Sequence, residues 1–542
     1  MVKKMALLFS VLLFIGSLFF FVHESEHAEI QDTYESGALK GEVHEARKLQ
    51  KRLAKTLDGT SVQLCFKGEL LACDRESLTF YLPVDMETDA WEAGTFADQS
   101  GEFGILPLED YTRLEKKETV SSGYAVPFLA WNEKEGTCTT IYVVFTGLPV
   151  VRMETDASLD VDTVFAGSVE FYENCGKEDW TLKSVFQAHE RGQTTRAYPK
   201  KGYRVDLISV TSTGVINKNK EKVLGMRKSD SWIFYAIYSD GTKVRDQFNT
   251  RIWDRLGAWD TPYDTRFGTS MKYVELVVNG EYRGLYGIFE PIDSTQLEIS
   301  DQEYLYKRTY GRELLAETMD SVAPSEYLTA LGMELKGRNG QGNGEDWKCF
   351  RTFVEMCQSD DETFRAEAEK LLNMDNVADI WLYLQMMYAE DNVYKNMFFA
   401  FKKESDGYRM YLVPWDTDLT WGNTYVDDGE QLYVQWSPEH AQDYLEWPFL
   451  DRLLKLDVGN IREKVAARWQ KLRQDELSDE NLKNMLDDCI HEVQDSGAFA
   501  RDAARWPDSR HDGDYEGMES YLKTRIAWLD KTMKNMDEQI EK

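Results

Sequence analysis

Positive charge is what this sequence lacks most. Lys and Arg number 63 against 95 Asp and Glu in 542 residues, a formal net charge of −32. A field of that sign repels polyanions, so a general nucleic-acid-binding role is excluded, and any phosphate must be held by local cations or a metal. Proline is scarce, at 12 residues, and the seven cysteines (65, 73, 138, 175, 349, 357 and 489) are scattered. No Cys-x-x-Cys pairs with a second one or with two histidines, which argues against a zinc site. Cys65 and Cys73 are the one close pair in the first half, at a spacing that two strands of a hairpin could turn into a disulfide; the odd count leaves at least one thiol free or paired between chains. Internal repeats are absent. What is present is a hydrophobic content of 42% with 13% aromatic residues, enough for a full core and incompatible with a wholly disordered or collagenous chain. At roughly 150 residues per domain, the length predicts three to four folding units.

One apolar run is long. Lys3 and Lys4 precede Met5 to Val22, which as a helix rising about 1.5 Å per residue spans roughly 27 Å, close to a bilayer core. Lysines before it and Glu24 and Glu26 after it place the N-terminus in the cytoplasm and the remainder outside. Without a small-x-small cleavage triplet, residues 1–23 are expected to act as an uncleaved signal anchor; cleavage there would make the protein secreted.

Residues 24–60 are polar, with helical spacing around Ala46 to Leu57, and are expected to form a stalk. Strand periodicity follows in Val62 to Phe66, Leu78 to Leu82, Tyr124 to Trp131 and Ile141 to Phe145, predicting a small β-rich module over 61–160. A mixed α+β domain is expected over 161–455. Its strongest local signal is Tyr273 to Val278, Asn279-Gly280, then Glu281 to Glu290, a hairpin with a two-residue type I′ turn. Residues 456–542 read as a helical C-terminal segment. The Gly-rich stretch Gly337 to Gly344 has no strand leading into it and no Gly-Lys-Ser/Thr after it, so it is a loop and not a phosphate cradle.

The chemistry concentrates near Asp391. The segment Ala389-Glu390-Asp391-Asn392-Val393-Tyr394-Lys395-Asn396 ends a long helix and opens the strand Met397 to Phe401; Ser405-Asp406-Gly407 turns the chain into Tyr408 to Val413, which runs into Pro414-Trp415-Asp416-Thr417-Asp418-Leu419-Thr420-Trp421-Gly422. Phosphoryl transfer from ATP needs a carboxylate to orient the acceptor hydroxyl, and an amide with a second carboxylate to hold magnesium on the phosphates. Asp391, Asn396 and Asp416 or Asp418 fit these roles in the order that protein kinases use, Asp-x4-Asn, hairpin, Asp. If the chain were extended through Asp416-Thr417-Asp418, both carboxylates would share a face and Thr417 would point away, with Asp416 favoured as the ligand by its place at the strand end. Lys200, Lys201 and Arg204, and Lys307 with Glu290 as an orienting partner, are candidate phosphate-binding groups.

Between about Ser168 and Leu454 the sequence resembles the CotH family of spore-coat-type atypical kinases. The resemblance rests on Arg191 to Arg196 with Tyr198 to Leu207, on Trp232 to Ala236 with Lys243-Val244-Arg245-Asp246, on the Val-Asn-Gly-Glu-Tyr-Arg-Gly-Leu-Tyr hairpin, and on the Pro-Trp-Asp run. It implies an α+β, divergent protein-kinase-like domain and transfer of the ATP γ-phosphate, with Mg2+ or Mn2+, to Ser or Thr of surface or coat proteins. Matching positions are Asp391 as the catalytic aspartate, Asn396 as a metal-binding asparagine and Asp416 or Asp418 as the metal-binding aspartate. The alternative is a catalytically inactive, kinase-like surface or adhesion protein; a glycosidase pairing Asp416 with Glu290 is disfavoured by the kinase-like order of the motif. Anchoring has a direct test. Protease applied to intact cells whose wall admits it should remove everything beyond about residue 24, whereas survival of this region alongside a cytoplasmic control would contradict the orientation.

Overall fold

The computed structural model describes residues 38–534 and 536, apart from 54, 158–162, 193, 258–262, 264, 312, 339 and 426–432. The expected signal anchor and the first part of the stalk lie outside the described residues, and among those described no helix is long and apolar enough to cross a membrane. Strands dominate from Lys55 to Tyr235 and helices from Pro448 to Lys534, with both kinds between them, bearing out the α+β class. The chain divides into two compact units: residues 1–238, 272–290 and 491–509, and residues 239–271, 291–490 and 510–542.

The first unit carries the strands expected from Val62 to Phe145, now seen as Leu64–Phe66, Thr79–Pro83, Ala125–Asn132 and Thr137–Thr146, most of them in a six-stranded sheet. Helix Ala38–Arg52 buries Ala46 and Leu49 against Leu108 and Leu129. Cys65 and Cys73 lie on strands of different sheets, and no disulfide joins them. The suggested disulfide is therefore corrected: the hairpin that would have paired them does not form.

The same unit contains a closed ring of seven strands. Thr181–Arg191, Phe165–Tyr172, Val150–Glu154, Met271–Val278, Glu281–Phe289, Ser231–Tyr235 and Gly202–Val210 pair in that order, and Gly202–Val210 pairs back onto Thr181–Arg191. Side chains two residues apart fill the interior: Val151 and Met153, Val169 and Phe171, Phe186 and Ala188, Tyr203, Val205 and Leu207, Trp232 and Phe234, Val274, Leu276 and Val278, Tyr286 and Ile288. This is the strand period of two applied around a small barrel, whose core is packed rather than open. The Asn279-Gly280 hairpin forms as expected, with φ of 53° and 73° at the two turn residues.

A buried ion pair ties helix Ala498–Arg505 to this barrel. The Lys200 ammonium donates to Asp502 Oδ1 at 2.7 Å and to the Leu285 carbonyl at 2.6 Å, and the same carboxylate oxygen accepts the Leu285 N–H at 2.8 Å. Both side chains are fully buried. Gly284, at φ +91°, lets the backbone approach, since a Cβ there would lie 2.1 Å from Asp502 Oδ1. Lys200, considered above for phosphate, is thus committed to Asp502. Removing one partner strands the other charge in the core, so Asp502→Ala should cost about 3–5 kcal/mol. Replacing both partners together with Met and Leu should recover most of that in urea unfolding; equal losses in the single and double variants would show that the pair is not what holds the helix.

The second unit is built around a four-stranded sheet in the order Met333–Lys336, Tyr304–Arg308, Met397–Glu404, Gly407–Pro414. Helix Met374–Met387, the expected apolar helix, buries every residue from Asn376 to Met387. Trp381, Tyr383, Met386 and Met387 are core. Asn376 joins it to the sheet, donating to the Leu412 carbonyl at 2.9 Å and accepting the Leu412 N–H at 2.7 Å.

Candidate active site

The long helix stops at Tyr388, which adopts φ 51°, and Trp421 N–H reaches its last turn at the Met387 carbonyl, 2.9 Å away. A single-turn helix, Glu390–Tyr394, then carries Asp391, and Asn396 follows at φ 58°. The Asn396 backbone acts as a clip: its N–H donates to the Arg308 carbonyl and its carbonyl accepts the Trp415 N–H, both at 3.0 Å. The loop after the helix is thereby fixed to the two strand ends beside it. Asn396 Nδ2 donates to Asp391 Oδ2 at 2.7 Å, and the Lys395 ammonium lies 3.3 Å from Asp391 Oδ1. Burial pushes the Asp391 carboxyl up, Lys395 pulls it down, and Asp416 adds to the rise.

Asp416 follows the hairpin strand Gly407–Pro414 but is not extended. Its φ is 58°, so the two-residue argument that put Asp416 and Asp418 on one face fails, and Thr417 does not simply point away. Its N–H and hydroxyl donate to Asp246 Oδ1, at 3.1 and 3.2 Å. Sequence reasoning assumed a strand where the chain turns into the left-handed region, a conformation that Asp tolerates better than most residues. The carboxylates nevertheless converge. Burial pushes Asp418 up to about 7, with Asp416 and Asp391 adding to the rise and a bond from Ser239 opposing it. Burial also lifts Asp246 well above the carboxylate range, with Asp418 and Asp416 adding to it.

Asp246 had no assigned role in the sequence, nor did Asn249. Both lie on helix Arg245–Leu256, which is polar in sequence yet buries nine of its residues. Asn249 Nδ2 donates to the Thr417 carbonyl at 2.8 Å and to Thr420 Oγ1 at 2.9 Å, while its oxygen accepts the Trp421 indole N–H at 2.6 Å. Arg245, paired with Asp240, reaches the Thr420 carbonyl at 3.0 Å. The signal that could have found them is the contrast between the polar sequence of this helix and the apolar Phe248, Ile252, Trp253 and Leu256 that it buries, because polar residues buried with them must have partners.

A cavity of about 240 Å3 opens at Asp391, walled by Tyr388, Tyr394, Tyr425 and Trp436 with Glu390 and Asn423. Lys307, on strand Tyr304–Arg308, sets its ammonium 5.5 Å from the Phe398 ring and 6.0 Å from the ring of Trp415, the neighbour of Asp416. Asp391, Asn396, Asp416, Asp418 and Lys307 thus all belong to the second unit. Lys201, Arg204 and Glu290 belong to the first, where Lys201 Nζ donates to the Arg196 carbonyl at 2.5 Å, Arg204 lies 3.5 Å from Asp206, and Glu290 accepts the Arg227 N–H at 2.8 Å.

A family model described as CotH kinase protein matches residues 188–529, more than half of the chain. The chain belongs to the CotH kinase family. The match bears out the resemblance seen in the motifs and runs past Leu454 into the C-terminal helices. No match was found among curated proteins. CotH membership implies kinase chemistry with ATP as the donor.

Kinase chemistry implies a divalent metal, and the residues fit a magnesium ion of the kind held largely by phosphate. Among the described residues no group of three or more His, Cys, Asp or Glu forms a metal cage. Mg2+ does not require one, since it commonly binds one or two carboxylates with waters and substrate phosphates. Asn396 and Asp416 or Asp418 offer hard oxygen donors, and burial raises the Asp418 carboxyl, whose charged form a bound cation would favour.

The raised Asp418 sets a pH dependence. Its carboxyl stays protonated in the folded chain up to about 7, while in the unfolded chain it ionises near 3.8, so its contribution to stability is greatest at low pH and falls between those values as pH rises. Asp418→Asn, which cannot ionise, should therefore raise the melting temperature more at pH 8 than at pH 5 in metal-free buffer. An equal shift at both would mean that Asp418 ionises like an exposed aspartate.

Proposed function

We propose that this CotH chain is a magnesium-dependent atypical protein kinase with a divergent kinase-like domain, anchored by residues 1–23 and facing outward, and that it phosphorylates Ser or Thr of surface or coat proteins. The observation that carries this is the Asp391–Asn396 pair, clipped through the Asn396 carbonyl and the Trp415 N–H to the segment that carries Asp416 and Asp418, with Asp391 lining an open cavity. Asp391 sits at the boundary between that cavity and the acidic cluster, where an acceptor hydroxyl entering the cavity meets its carboxylate. Its raised affinity for protons suits it to take the hydroxyl proton as the oxygen attacks the γ-phosphorus and the bond to the β-phosphate oxygen breaks, releasing ADP. Asn396 and Asp416, or Asp418, would hold Mg2+, which supplies the charge neutralisation that the phosphates require. Lys307, whose ammonium lies 6.0 Å from the Trp415 ring, is a cation that would join them.

Incubating the purified chain with labelled ATP, Mg2+ or Mn2+ and generic protein acceptors tests the activity. Asp391→Ala should lower transfer by about 10²–10⁴-fold while leaving nucleotide binding nearly intact, since the group acts on the acceptor in the transition state. An active protein whose Asp391→Ala variant keeps wild-type rates would remove this residue from the mechanism. Asp416→Asn should abolish the metal-dependent thermal shift seen with ATP, and Asp418→Asn should keep a weakened one; asparagine tolerates the left-handed backbone at position 416, so the comparison is not clouded by strain. The opposite ranking would reassign the ligand to Asp418.

A further inference from the structure

We infer that Asn392 is a positioning residue that fixes the separation of the two metal-binding segments; the inference rests on the kinase function proposed above. Asn392 lies next to Asp391 in sequence, but its side chain turns inward and is 1% exposed. Its amide nitrogen donates to two carbonyls at once, that of Asn396 at 3.1 Å and that of Trp415 at 2.8 Å. One carbonyl belongs to the candidate metal-binding asparagine, the other to the residue just before the candidate metal-binding Asp416. A single NH2 group therefore spans the two segments that must close on one ion.

Two further features assign it this role rather than plain packing. Trp415 N–H also donates to the Asn396 carbonyl at 3.0 Å, so Asn392 completes a three-way junction of Asn396, Trp415 and itself. Both residues whose side chains the junction aims, Asn396 and Asp416, hold φ of 58°. Left-handed backbone at non-glycine residues persists only where neighbouring bonds enforce it. Meanwhile Asn392 Oδ1 is buried with no hydrogen-bond partner among the described residues. An apolar residue would spare the fold that orphaned oxygen, so what justifies asparagine here is its pair of donors.

The junction should matter most to metal-assisted binding and least to binding of the nucleotide alone. The measurement is the thermal shift of the full chain with a non-hydrolysable ATP analogue, with Mg2+ and with EDTA. Wild type should show an extra shift that needs the metal. Asn392→Ala should lose most of this increment while keeping the shift in EDTA, and should raise the metal concentration for half-saturation about tenfold or more. Asn392→Ser, which retains one donor, should fall between the two and also covers the case in which the alanine variant does not fold. Val393→Ala, at the neighbouring buried position, serves as the structural control: it should lower the melting temperature yet keep the increment. A retained increment in Asn392→Ala, or an equal loss in Val393→Ala, overturns the positioning role while leaving the kinase proposal standing. A wild-type protein with no metal-dependent increment overturns both.

Discussion

One buried amide, Asn249, holds the segment on which the site depends. With no strand to continue it beyond Pro414, the chain from Trp415 to Trp421 must satisfy its polar groups elsewhere: Trp415 pairs with Asn396 and Asn392, Trp421 N–H with the Met387 carbonyl, and Thr417 and Thr420 with helix Arg245–Leu256. Asn249 takes the Thr417 carbonyl, the Thr420 hydroxyl and the Trp421 indole; Asp246 takes the Thr417 N–H; Arg245 takes the Thr420 carbonyl. An irregular segment buried this deeply is tolerated only when its backbone groups are paired. The helix is polar because it serves as the missing neighbour strand.

That arrangement explains how an acidic chain can gather still more acid in one place. Asp240 is paired with Arg245 and Asp391 with Lys395, whereas burial and neighbouring carboxylates drive Asp246 and Asp418 toward protonation. Carboxylates held in both ways therefore lie in the second unit. A site divided in this way can accept metal and phosphate together at little cost in repulsion, despite a net charge of −32 on the whole chain.

Much of this was legible in the sequence where the signal is local. The Asn279-Gly280 turn, the hairpin Met397–Glu404 with Gly407–Pro414, and the apolar helix Met374–Met387 follow from turn chemistry and periodicity. Asp391 and Asn396 were found because their spacing spans a single turn of helix and its exit. What escaped is non-local: Asp246 and Asn249 stand about 170 residues from the segment they hold, and no spacing rule connects them. The extended path assumed through Asp416 failed for a related reason, because the turn there is imposed by partners elsewhere in the chain rather than by its own residue types. Cys65 and Cys73 misled in the opposite direction, since short separation in sequence did not place them on one hairpin.

The interleaving of the two units has a consequence for biogenesis. Lys200 finds its counter-ion 302 residues later, and the barrel needs strands from Val150–Glu154 and Glu281–Phe289 before it can close. A chain that emerges from its N-terminus cannot complete the first unit until Ser509 has left the ribosome, by which time nearly all of the second unit is also present. The barrel strands and the unpaired Lys200 ammonium are exposed through most of synthesis, when long-range pairing is slow and open sheet edges invite misassociation. Truncation from the C-terminus is therefore a poor route to an isolated N-terminal module, and maturation of this protein is a late, post-synthetic event rather than a stepwise one.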